Sequence, residues 1–111
     1  MKTKALTDKE FNRISKALAD PIRVQILEKS VAKGRMSCHD VCEMFPVTNA
    51  TISHHTKELF DADLIERRKE GQFVYYEVNS LMVNAYLQEL QRRLGAKTGA
   101  TRAKTPKQPA P

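Results

Sequence analysis

Thr48-Asn49-Ala50-Thr51-Ile52-Ser53-His54-His55-Thr56-Lys57-Glu58-Leu59 reads as a helix with two unlike faces. At about 100° per residue, Ile52, Thr56 and Leu59 share one side, with His55 on its flank. Ala50, Ser53, His54 and Lys57 fall opposite: small, hydroxylated, imidazole and cationic. Such a side has nothing to contribute to a core and suits an external partner. A short turn precedes this helix, and an amphipathic segment precedes the turn. Downstream lies a basic alternating ribbon, Leu64-Ile65-Glu66-Arg67-Arg68-Lys69-Glu70-Gly71-Gln72-Phe73-Val74-Tyr75-Tyr76. Helix, turn, helix and a positively charged hairpin make a winged helix-turn-helix, which docks in a groove of double-stranded DNA.

The flanking elements follow from caps and periodicity. Thr7 or Asp8 can cap a first helix whose apolar positions are Phe11, Ile14, Ala17 and Leu18. Asp20-Pro21 restarts the chain, because Asp accepts from orphan amides and Pro lacks the N–H that the first helical position cannot use. The second helix is expected to turn Ile22, Ile26, Leu27 and Val31 inward and to stop near Gly34. Ser37 caps a short third helix from Cys38 to about Phe45, which Pro46 ends. Thr48 caps the fourth. Asp63 belongs in the turn after it, since Asp tolerates unusual backbone angles. Gly71 supplies the tight turn between two strands, the second carrying Val74, Tyr76 and Val78 on one face. Asn79 or Ser80 caps a last helix with Leu81, Ala85, Leu87, Leu90 and Leu94. The expected fold is mostly α with a β-hairpin wing: four helices, two strands and a fifth helix.

At 111 residues there is room for one domain with an ordinary core. The formal net charge is +6, but it is unevenly placed. Arg92, Arg93, Lys97, Arg102, Lys104 and Lys107 follow the last acid, Glu89. Residues 1–94 form the expected domain, with nearly balanced charge. Residues 95–111 contain no large apolar side chain and are expected to be a basic disordered tail. The charge favours a polyanionic partner without specifying a fold. No apolar run reaches the ~18 residues of a membrane span, and no signal peptide follows Met1, so a cytoplasmic protein with no membrane partner is expected. Cys38 and Cys42 are then expected to be thiols. The apolar stripe of the last helix is long for so small a domain. Together with the first helix it is expected to form a two-fold homodimer seam.

Ala17-Leu18-Ala19-Asp20-Pro21-Ile22-Arg23-Val24-Gln25-Ile26-Leu27 resembles the opening signature of the ArsR/SmtB bacterial regulators. Thr51-Ile52-Ser53-His54-His55 resembles their recognition helix, and Leu64-Ile65 with Arg67-Arg68, Gly71 and Tyr76 resembles their wing. The likeness runs in order over roughly residues 8–94. It implies a homodimeric winged-helix repressor that leaves its operator when a metal, metalloid or other signal acts. Two positions depart: Thr56 stands where the family usually has Leu, and Asp63 where it usually has Gly. Thr56 on the inner face costs packing unless its hydroxyl finds a backbone carbonyl.

The residues expected in the groove are Asn49, Ala50, Ser53 and His54. Ala50 permits close approach and can touch a thymine methyl, Ser53 pairs with several base edges, and His54 can donate to a purine N7 or a phosphate. Thr48, Thr51 and Lys57 are placed for the phosphate backbone. Arg67, Arg68, Lys69 and Gln72 put the wing on flanking phosphates or in the minor groove. A solvated helix face and hairpin is the plainer alternative for any one of these pieces. His55, beside the inner stripe, is expected to be a hydrogen-bonded core residue.

Cys38 and Cys42, at i and i+4, can share a face of the third helix and could hold a soft metal or metalloid ion as a two-thiol site or with His39, completed by Asp40 or by the partner protomer. The resemblance implies no full arsenite site. The arsenic-sensing branch has Cys-x-Cys-x-x-Cys there, and those places fall on Ser37, His39 and Cys42. The family's other site, on the last helix, needs carboxylates and histidines; here that helix offers Glu89 and no histidine. A disulfide between Cys38 and Cys42 would strain the helix and so could act as a switch. The remaining alternative is two small hydrophobes in a core. No resident cofactor is called for.

Two other classes stand beside the regulator. An architectural DNA protein would need charge rather than reading groups on the groove face. A thiol enzyme would need a Cys-x-x-Cys spacing or a cofactor loop, and this chain has neither.

Overall fold

In the computed structural model, residues 5–95 are described. Three helices form the central unit: α2 (Pro21–Lys33), α3 (Cys38–Met44) and α4 (Asn49–Asp61). Helix α1 (Asp8–Ala17) and helix α5 (Ser80–Leu94) pack beside it. Each helix starts at a side-chain cap that accepts an orphan amide. Thr7 forms a full capping box with Glu10, and Asp20 Oδ1 accepts from Ile22 N at 2.8 Å. Ser37, Thr48 and Asn79 cap α3, α4 and α5. Phe45 ends α3 in extended backbone, the conformation favoured before Pro46.

The sheet has one strand more than the expected hairpin. Strand β1 (Met36–Ser37) pairs antiparallel with β3 (Phe73–Val78), which pairs with β2 (Ile65–Glu70), giving the order β1-β3-β2. Two residues show no alternation, so β1 exists only because β3 offers it a free edge. Glu70 opposes Phe73 across a two-residue turn where Gly71 has φ +65°, a region costly for side chains. Asp63 turns the chain out of α4 at φ +62°, as its tolerance for that region allows.

The core gathers Ile14 and Ala17 of α1, Ile26 of α2, Met36 of β1, Val41 of α3, Ile52 and Leu59 of α4, and Tyr76 of β3. Leu64, Ile65, Met82 and Ala85 complete it. Four expected inward residues differ. Val31 is 66% exposed, and Ser30, one step round α2, is buried in its place. Leu81, Leu87 and Leu94 are exposed, because α5 buries Met82, Ala85 and Glu89 instead. Beside that i, i+3, i+7 row, Tyr86 and Arg93 meet α1. There Phe11 stacks on Tyr86 at 5.1 Å and Ser15 Oγ lies 2.9 Å from the Tyr86 hydroxyl. Arg93 lies over Phe11 at 4.0 Å and reaches Asp8 at 2.6 Å. Glu89 accepts from Arg92 and Arg93, which lower its carboxyl to about 2.

Among the described residues, no helix is long and apolar enough to cross a membrane. The expected basic tail lies outside the described residues except for Gly95, the left-handed cap of α5.

Candidate nucleic-acid interface

Helix α4 divides as its spacing predicts. Ile52, His55, Thr56 and Leu59 are buried. Asn49, Ala50, Ser53, His54 and Lys57 are exposed. Thr56 Oγ1 donates to the Ser53 carbonyl at 3.2 Å, so its hydroxyl is satisfied on the inner face. His55 Nδ1 lies 3.2 Å from Arg23 Nη1. A guanidinium only donates, so Nδ1 accepts and the ring proton sits on Nε2. Burial lowers the His55 pKa most, and the Arg23 charge lowers it further, against the pull of Asp20. Arg23 also donates through Nε to the Ala17 carbonyl at 2.8 Å. One side chain therefore joins the end of α1, the start of α2 and the middle of α4.

At the entry to α4, the Thr48 hydroxyl accepts from Thr51 N at 3.1 Å and donates to Thr51 Oγ1 at 3.0 Å. Thr48 is thereby committed to the helix, whereas Thr51 Oγ1 accepts in this pair and does not spend its own proton on it. Lys57 is tied to Asp61 at 2.7 Å, and that hydrogen bond raises its pKa. It stays cationic, with part of its field already answered.

The wing is less bare than its sequence suggests. Arg67 lies over the Phe60 ring at 4.2 Å, pinning β2 to the end of α4. Arg68 faces Glu77 across the strands at 3.5 Å. Arg35, outside the sequence-based set, pairs through both its terminal nitrogens with Glu70 at 3.0 and 3.2 Å and lies 3.8 Å over Tyr75. Its nearness to the wing follows from β1, which the sequence pattern does not reveal. At the tip, Lys69 and Gln72 are exposed with no ion-pair partner among the described residues. Phe73 beside them is 53% exposed, an aromatic that also escaped the sequence reading.

The candidate ion ligands do not converge. Cys38 and Cys42 are half-buried against the core, and burial, then Cys38, pushes the Cys42 thiol up. His39 is exposed and faces Glu43 at 3.5 Å. Asp40 turns to Lys33 at 3.4 Å. Among the described residues, no three His, Cys, Asp or Glu side chains gather as a metal site. The residues present therefore do not fit a three-ligand ion site; only the two thiols remain neighbours.

Residues 20–67 match the family described as "Bacterial regulatory protein, arsR family". An arsenical resistance operon repressor of Bacillus subtilis (strain 168) is 36% identical over 87 residues, covering 78% of this chain and 83% of the relative. The transcriptional repressor SdpR of the same organism is 36% identical over 73 residues, covering 66% of this chain and 80% of its own length. The solved structure of HlyU from Vibrio cholerae N16961 matches with a TM-score of 0.62 at 26% identity, covering 79% of this chain and 95% of that one. With such identity over most of both chains, and with a recognition helix and wing in place, this chain belongs to the arsR family of bacterial regulatory proteins, as a winged helix-turn-helix DNA-binding regulator of transcription and not an enzyme.

Proposed function

We propose that the chain is a cytoplasmic, homodimeric, sequence-specific repressor that a signal releases from its operator. The observation that carries this is the division of α4. Its inner face is buried and locked by Arg23, while Asn49, Ala50, Ser53 and His54 stay exposed. These four read base edges. Thr51, Lys57, Lys69 and Gln72 hold phosphates, Thr48 shapes the helix entry beside them, and Arg67 and Arg68 shape the wing as well as adding charge. Residues 1–94 act as the DNA-binding and dimerisation domain, and 95–111 add cationic attraction to DNA. The repressor sense is supported by the names of the two Bacillus relatives.

The dimer seam runs along α5 beside α1. Leu81, Leu87 and Leu94 are exposed large apolar residues of α5, and Val31 of α2 lines one groove with Leu87. Leaving such a patch in water is unfavourable by about 25 cal/mol per Å². A two-fold pairing also sets two α4 helices at half-sites about 34–36 Å apart.

Fluorescence anisotropy of the reduced protein, on DNA from upstream of its own gene against scrambled DNA, tests the reading. Preference for its own DNA is expected; equal affinity for both sequences overturns it. Repeating the titration with arsenite, zinc or peroxide identifies the signal. Loss of binding with one of them assigns the effector to the Cys38–Cys42 pair, and indifference to all three makes the pair core packing.

A further inference from the structure

We propose that α1 carries a second phosphate-contacting edge, which meets the DNA strand on the side of the recognition helix opposite the wing. This rests on the DNA-binding reading above and adds a surface that reading does not use. Lys9, Asn12, Arg13 and Lys16 recur at 3-4 spacing, and all are exposed on one face of α1. With Glu58 and Asp61 of α4 they line an open cleft of about 360 Å³ between the two helices.

Two contacts set the direction of α1. Arg13 Nη1 donates to the Asp61 carbonyl at 3.2 Å, near the end of α4. The Lys16 and Ala17 carbonyls receive Arg23, whose other nitrogen reaches His55. So α1 runs antiparallel beside α4, and Lys16 stands nearest the level of His54. The wing occupies the other flank. Arg67 covers Phe60, whereas the cleft is lined by Glu58, two residues and about 200° away around the helix. Basic groups therefore flank the reading face on both sides.

The dimensions make both flanks count. A helix with its side chains is about 10–12 Å across and the major groove is about 12 Å wide, so groups on either flank face the phosphates of opposite strands. The row is only partly offset by its surroundings, three bases against the two carboxylates of the cleft. Asp61 is held by Lys57 at 2.7 Å, Glu58 is the other carboxylate of the cleft, and Asp8 and Glu10 turn to Arg93 and the Thr7 cap. Lys9 and Lys16 have no ion-pair partner among the described residues.

The test compares the full chain with the Lys9→Gln/Lys16→Gln variant, leaving the structural Arg13 in place. Anisotropy on the upstream DNA is followed from ~50 to ~200 mM salt, with Lys69→Gln as the wing control. Each phosphate contact contributes about 0.9 to the slope of log affinity against log salt, so a dimer losing four lysines should flatten by about 2–4. The ratio of affinity for upstream over scrambled DNA, and the melting temperature, should stay unchanged. A wild-type slope in the double variant, while Lys69→Gln flattens its own, overturns this proposal and leaves the regulator reading standing. Failure of the wild-type protein to bind any duplex overturns both.

Discussion

Arg23 donates to Nδ1 of His55 at 3.2 Å while its other nitrogens hold the carbonyls of Ala17 and Lys16. The recognition helix is thus positioned from behind by a neutral imidazole. His55 acts here as a support for α4, one ring away from His54, which faces outward.

That neutrality predicts a pH dependence. Because the folded His55 pKa lies below its ordinary 6.5, the folded state binds fewer protons than the unfolded chain. Its stabilising contribution is full above pH 6.5 and is lost as pH falls through the lowered value. Melting temperature should decline on acidification below 6.5, and His55→Gln, which keeps an acceptor for Arg23, should reduce that slope. An identical slope in the variant would place the titration elsewhere.

Ser30 Oγ is fully buried with no hydrogen-bond partner among the described residues. Ser30→Ala removes that unmet group and improves helix propensity, so urea denaturation should show a gain of about 1 kcal/mol. A loss of similar size would mean that the hydroxyl is satisfied in solution.

His54 and Lys69 should separate reading from holding. His54→Ala should weaken binding to the upstream DNA by roughly tenfold and relax preference at one base position, as expected for a group worth ~1–3 kcal/mol. Lys69→Gln should weaken upstream and scrambled DNA alike. Competition titrations on single-base variants of the site check both, and equal losses for His54→Ala on every sequence would remove it from the reading set.

Asp63 holds φ +62° at the exit of α4. Asp63→Gly should stay within ~0.5 kcal/mol of the parent, whereas Asp63→Val should lose about 1–2 kcal/mol through its branched Cβ. Chemical denaturation measures both.

The exposed leucines of α5 test the seam. Leu87→Asp with Leu94→Asp should yield a monomer by analytical ultracentrifugation, with helix content retained and operator affinity strongly reduced. A persistent dimer would move the interface off α5.

Local chemistry determined most of the helical plan. Thr7, Asp20, Ser37, Thr48 and Asn79 each accept an amide a few residues away, so their effect is written in short-range sequence. The division of α4 was equally readable, since periodicity alone separates Ile52 and Leu59 from Ser53 and His54. What only the tertiary structure decided involves partners distant in the chain. Strand β1 exists because Tyr75 and Tyr76 lie alongside Met36 and Ser37, and Arg35 joins the wing through the same pairing. On α2 and α5 the apolar stripes are wide, so periodicity permits several faces; packing against β3 and α1 selected Ser30, Met82 and Glu89 and left Val31 and Leu87 outside. The spread of the candidate ion ligands has a related reason. Cys38 and Cys42 share an inward face, but His39, one residue along, turns about 100° away, and among the described residues no third ligand joins them.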